Sequence, residues 1–332
     1  MPTLKRPKRI PLLDAHNDSI ILREVRGDPM DFSAADRVYQ VDLRRMKRGG
    51  VGGLFVMVGD RNLLQSLRIM GAMHRMCAAR RKEFALCLTA EGLLAAMHSG
   101  RIGVVMSIES QTMFAERPEN VRNWHRLGVR VASLTHGEGK LGDSSHALQV
   151  DNSFFGYLEP DARRILRRQS KGLTAFARES LNIMAELKIP CDLAHANDAA
   201  FWQVLECARG PVCYTHGACY ALCKHSRNLS DEMMRALAAR GGVMGICFYG
   251  NFIDEKRPTL DRLVDHFAHA LEVMGPDHVG VGSDFDGIAR TQVPIIQDAG
   301  RVPALWEAME RRGIPKSVVE KIAWKNFLRL LP

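Results

Sequence analysis

Nothing in the 332-residue sequence approaches the roughly 18–20 consecutive apolar residues that a helix needs to cross a bilayer. The opening MPTLKRPKRIPLLDAHND is basic, but its apolar part, IPLL, is too short for the core of a secretion signal. The closing FLRLLP is too short for a lipid-anchor tail. These absences lead to the expectation of a soluble, unprocessed, cytoplasmic protein without a membrane partner. None of the eight cysteines forms a C-x-x-C pair, which argues against a zinc ribbon or a thioredoxin motif. Several lie inside apolar runs such as PVCYTH and MGICFYG, where a reduced thiol packs as a small hydrophobe. Neither G-x-S-x-G nor H-E-x-x-H occurs, so serine-elbow and zincin chemistry have no foothold. No Pro/Gly/Ser-rich linker divides the chain, and one domain over residues 1–332 is expected.

What is present is an excess of positive charge, net +9, much of it in KRPKR near the start, RRMKR at 44–48 and RRILRRQSK at 163–171. These runs lack interleaved aromatics and any nucleic-acid module, so they read as solvated faces and no nucleic-acid partner is expected. Eight short apolar runs recur: IPLLDAHND, GVGGLFVMVG, GVVMSIES, VRVASLTH, IPCDLAHA, PVCYTHG, GGVMGICFYG and HVGVGSDFDG. Amphipathic segments lie between them. LTAFARESLNIMAELK carries a helical apolar stripe, SDEMMRALAARGG opens on a capping Ser230 and stops at Gly241, and PKSVVEKIAWKNFLRLL starts a last helix at Pro315. The Met-rich LRIMGAMHRMC reads as a buried helix face. Eight strand–helix alternations fit a (β/α)8 TIM barrel, with a doubly wound open sheet as the rival. The polar residues favour the barrel, because they gather at the ends of the runs, the face on which such barrels carry their chemistry. Residues 137–171 lack periodicity and read as a loop over the barrel mouth. Within them GEGKLG matches G-x-G-x-x-G, but no helical stripe follows it as a dinucleotide site requires.

The run ends define the candidate site. The first run offers His16 and Asp18, the third Glu109, the fourth His136, the fifth His195, the sixth His216 and the eighth Asp284. One histidine in such a place is usually a satisfied core group; six run ends converging on one barrel mouth are not an accident of packing. In an extended strand Asp14, His16 and Asp18 share a face. Imidazole and carboxylate ligands without thiolate suit zinc or a similar divalent ion in an open site. Five groups exceed the needs of one ion. They can hold two if Glu109 bridges, and two ions about 3.5–4 Å apart can share a hydroxide and polarise a carbonyl. A separate Asp then suits proton transfer. Asp14 reads as a supporting carboxylate rather than a ligand, and Asp286 is ambiguous beside Asp284. His225 precedes Arg227 by two residues and reads as orienting it. Tyr249, at the seventh run end, reads as pocket lining, with plain packing as the alternative.

Over nearly its whole length the chain resembles the membrane (renal) dipeptidase family of amidohydrolase-like binuclear zinc hydrolases. The resemblance rests on DAHNDS, GGVGG, SIES, LTHG, DLAHAN, YTHGACYALCKHSRNLSDE, GGVMGICFY and HVGVGSDFDG, the run from 172 to 287 being the most specific. It implies two zinc ions per subunit: His16 and Asp18 on the first, His195 and His216 on the second, Glu109 bridging. It implies that His136 contacts the substrate carbonyl and that Arg227 holds the substrate's C-terminal carboxylate. Asp284 is then the acid/base for the attacking water and the leaving amine. It further implies a homodimer and dipeptide hydrolysis, with a D-residue tolerated on the C-terminal side. Two alternatives stand beside it: a barrel hydrolase of N-acyl amino acids or lactams, and a non-catalytic scaffold derived from a dipeptidase.

Overall fold

A computed structural model describes residues 10–33, 37–59, 62–115, 117–136, 172–288 and 294–332. The expected mouth loop at 137–171, the GEGKLG stretch and the basic run at 163–171 lie outside the described residues. Among the described residues nine strands form one parallel sheet: β1 (Leu12–Asn17), β2 (Val51–Gly59), β3 (Phe84–Leu86), β4 (Ile102–Glu109), β5 (Val129–Ser133), β6 (Cys191–Asp192), β7 (Val212–Gly217), β8 (Val243–Ile246) and β9 (Val279–Val281). Each strand of the path β1-β2-β4-β5-β6-β7-β8-β9 pairs with its neighbour, and helices fill the connections. The sheet closes where β1 meets the segment after β9. Asn17 bridges to Phe285, the Asp18 amide donates to Phe285 O at 3.0 Å, and the Asp284 amide donates to His16 O at 3.2 Å. This is the expected (β/α)8 barrel, and its eight path strands are the eight apolar runs.

The ninth strand, β3, was not anticipated. It is only three residues long and pairs with the first part of β4 through Ile102–Val104, beside the barrel path. A three-residue apolar segment carries no period of its own, which is why the pattern missed it.

The helical segments fall where their caps predict. Ala175–Glu186 is capped by Thr174, and Asp231–Ala239 by Ser230, whose hydroxyl accepts from Met233 N, with Gly241 at φ +72 just past its end. Helix Leu63–Ala79 buries Ile69, Met70, Met73, Met76 and Cys77. The last helix differs from expectation in having a wide turn, Lys321–Lys325, between Lys316–Glu320 and Asn326–Leu328. It precedes Asn326, whose side-chain amide is drawn onto Pro276 O and Val279 O at 2.9 and 2.8 Å. All eight thiols are free, and seven are buried. The basic run at 44–48 is partly absorbed by Asp42 and Asp298, which pair with Arg45 and Arg48. Among the described residues no helix is long and apolar enough to cross a membrane.

Candidate metal centre

The C-terminal ends of the strands bring the expected groups to one mouth, but not all from strands. β1 ends at Asn17, so Asp18 reaches the site from the turn that opens helix Ser19–Arg26. His195 lies beyond β6 with φ 66 and Asp284 beyond β9 with φ 60, both left-handed. A non-glycine residue held there costs on the order of 1 kcal/mol, a strain that recurs where side-chain direction matters more than backbone comfort. Gly287 closes the same corner. A Cβ on it would lie 2.2 Å from Asp18 Oδ2 and 2.2 Å from Asp284 Oδ1, so only glycine lets the chain pass over these two carboxylates.

The donors divide into two sets about the buried Glu109. On one side His16 Nε2 lies 3.5 Å from Glu109 Oε2 and 3.3 Å from Asp18 Oδ2. On the other, His195 Nε2 and His216 Nε2 lie 3.0 and 3.5 Å from Glu109 Oε1, and 3.0 Å from each other. Ligand atoms about 2.0–2.1 Å from a tetrahedral zinc stand about 3.3 Å from one another, so both sets have the spacing of a divalent-ion site. Glu109 Oε1 accepts no hydrogen bond among the described residues, although two ring nitrogens face it. A cation between these atoms satisfies all of them at once.

The electrostatics agree. Burial pushes the Glu109 carboxyl well above its ordinary range, while His16 pulls it back. Burial, with Arg227 beyond it, pushes His195 well below an ordinary histidine. Burial and the neighbouring His16 do the same to His216. Both rings are therefore neutral, each with one lone pair; the Arg227 guanidinium, which only donates, meets that of His195 at Nδ1, so ligation through His195 Nε2 requires the ring proton to move to Nδ1. His16 goes the other way: burial opposes its charge, but Glu109 and Asp18 outweigh that and raise it. Asp284 is pushed up to about 7, chiefly by burial, with His16 opposing.

His136 stands edge-on to His195, ring centroids 4.7 Å apart, and joins Glu109 and His195 in one group of potential ligands. Arg227 is buried behind His195, its Nη1 3.0 Å from His195 Nδ1 and its Nη2 donating to His216 O at 3.3 Å. Phe252 lies under the guanidinium at 5.5 Å. Tyr249 packs on Phe252, with centroids 4.7 Å apart, and its hydroxyl accepts from Asn251 Nδ2 at 3.0 Å, so it borders the Arg227 side rather than the ligand sets. His225 Nδ1 accepts the Arg227 amide at 3.2 Å, as its spacing suggested.

Asp14 is turned to the barrel seam. It accepts from Ser283 N at 2.8 Å and Ser283 Oγ at 2.6 Å, holding the residue before Asp284 against β1. Asp286 accepts from Ser19 Oγ and Gln40 N, so it braces the Asp18 turn instead of sharing Asp284's position. Two polar residues escaped the sequence reading: Asp192 in CDLAH and Thr215 in YTHG. Asp192 lies with His16 and His216 in a third group of potential ligands. The available signal was their position, one three residues before His195 and the other directly before His216.

A (β/α)8 barrel with buried histidines and carboxylates gathered at its mouth is the architecture of a metal-dependent hydrolase. The model of the membrane dipeptidase family, peptidase family M19, matches residues 6–332, and the chain belongs to that family. It is 28% identical over 348 residues to the dipeptidase ataJ of Aspergillus terreus, covering 97% of this chain and 84% of the relative. Among solved structures it resembles the family M19 metallopeptidase called dipeptidase AC, with a TM-score of 0.80, 26% identity and 97% of each chain covered. A Rhodobacter sphaeroides metallopeptidase, liganded with a phosphinate mimic of the dipeptide L-Ala-D-Ala, shares the fold with a TM-score of 0.82 and 24% identity over 97% of this chain and 98% of that one.

Proposed function

We propose that this protein is a zinc-dependent dipeptidase that holds two ions per chain, one on each oxygen of Glu109. The observation that supports the reading is the division of the donors: His16 beside Oε2 with Asp18 against His16, and His195 and His216 beside Oε1. His16, Asp18, Glu109, His195 and His216 would hold such ions, which would supply Lewis-acid polarisation of the scissile carbonyl and a water acidic enough to attack at neutral pH.

The remaining roles follow from the side chains. Asp284, adjacent to Asp18 and raised to about 7 by burial, takes the proton of the attacking water and returns it to the leaving amine. His136, on the opposite flank beside His195, donates to the carbonyl oxygen as it gains charge. Arg227 is a buried cation at the edge of the cluster, suited to a substrate bearing a free carboxylate, which its fork grips bidentately. That requirement fits a dipeptide, whose C-terminal carboxylate lies one residue from the scissile bond, and equally an N-acyl amino acid; membership of the dipeptidase family favours the dipeptide. Tyr249 contributes to the wall beneath Arg227 through Phe252. The same reading includes a homodimer, as the family resemblance implies, and a single domain over 1–332. The eight free thiols support a reducing compartment such as the cytoplasm.

The test is a panel of L-L and L-D dipeptides, N-acyl amino acids and lactams, run on the zinc-loaded protein and on Arg227→Met. Dipeptides are expected to be the substrates. The variant is expected to retain its metal and to raise KM by roughly 100-fold, the loss of a charged hydrogen-bonded pair. An unchanged KM contradicts the carboxylate clamp, and turnover confined to N-acyl amino acids or lactams contradicts the substrate class.

A further inference from the structure

We propose that Asp192 and Thr215 form a relay that sets the ring of His216 for metal binding, and that Asp192 also fixes the turn carrying His195. The proposal deepens the two-ion reading and rests on it. Asp192 is buried on β6 and three donors converge on its carboxylate. Oδ1 accepts the backbone amides of Ala194 at 3.0 Å and Thr215 at 2.8 Å, and Oδ2 accepts the Thr215 hydroxyl at 2.5 Å. A carboxylate so surrounded acts as acceptor throughout. The Thr215 hydroxyl has one proton and gives it to Asp192, so what it turns toward His216 Nδ1, 2.9 Å away, is a lone pair. Nδ1 must then carry the ring proton, and Nε2 presents its lone pair to the cluster.

That choice decides whether His216 is a ligand at all. The opposite tautomer aims an N–H at Glu109 and His195 and binds no cation. Asp192 acts on the neighbouring ligand as well. Its bond to the Ala194 amide ties down the residue before His195, which holds the left-handed φ of 66. One carboxylate therefore orients both histidines on the Oε1 side of Glu109. Asp192 is close enough to His16 and His216 to be considered a ligand itself, within 4.8 Å of their donor atoms. The three donors already on its oxygens assign it to positioning instead.

The experiment is a calorimetric zinc titration of the chelator-stripped protein, comparing wild type, Thr215→Val, Thr215→Ser and Asp192→Asn, with circular dichroism checking the fold of each. Wild type is expected to bind two ions. Thr215→Val keeps the shape but not the hydroxyl; it should hold one ion at wild-type affinity and bind the other about 10–100-fold more weakly. Thr215→Ser restores the hydroxyl and should restore both sites. In Asp192→Asn the amide can donate to Thr215 Oγ1, which turns the hydroxyl proton onto His216 Nδ1; the loss should be at least as large, and this arm decides if the valine variant does not fold. A wild type with two sites beside a Thr215→Val protein with both affinities unchanged overturns the relay alone. A wild type that binds fewer than two ions overturns the two-ion reading and the relay with it.

Discussion

Replacing Glu109 with glutamine is expected to lower kcat/KM by on the order of a thousandfold or more, about 4 kcal/mol of transition-state stabilisation. The carboxylate is buried, with His16 facing one oxygen and His195 and His216 facing the other. Glutamine has nearly the same shape but loses the negative charge and turns one oxygen into an amide whose protons point at a cation position. The defect should therefore appear in metal content as well as in turnover. The free site also makes a pH prediction. Burial raises the Glu109 carboxyl well above its ordinary range, so protons compete with a cation for it at higher pH than for an ordinary carboxylate. Zinc affinity should rise with pH in wild type and rise less in the variant. Full turnover with normal metal content in Glu109→Gln would contradict the bridging role.

The second large effect belongs to Asp284→Asn. Loss of a general base typically costs about 100- to 10,000-fold, and here it should fall on kcat while both ions are retained. Burial raises Asp284 to about 7 in the metal-free site. As a base it must be ionised, so activity falls as pH drops through its pKa. Bound cations favour the carboxylate and move that pKa down, which sets the acid limb of the kcat/KM profile below about pH 7. The limb should vanish in Asp284→Asn. A variant that loses its metal instead assigns Asp284 to the ligands, a role its proximity to His16 and Asp18 would permit.

These expectations were legible in the sequence because a barrel turns strand ends into neighbours. His16, Glu109, His195 and His216 stand up to 200 residues apart, yet each follows an apolar run, and eight runs in series define the mouth where they meet. What stayed hidden depends on hydrogen bonds across strands. Asp14 and Asp192 look alike in sequence, each an acid shortly before a histidine. Only the seam contact to Ser283 and the contact to Thr215 separate a barrel clasp from a ligand-orienting group. The left-handed backbone at His195 and Asp284 is equally invisible, since neither residue type requires it. Asp18 was expected on a strand face and instead lies on the first turn past it, yet arrives at the same place. The side-chain period located the group correctly even where the strand had ended.

Whether two ions act together in one site on dipeptides is decided by a single titration. Zinc is added stepwise to the chelator-stripped protein while hydrolysis of a dipeptide is followed. Little turnover is expected at one equivalent, with activity climbing to a plateau at two equivalents per chain. A plateau reached at one equivalent, or no dipeptide hydrolysis at any loading, would contradict that joint action.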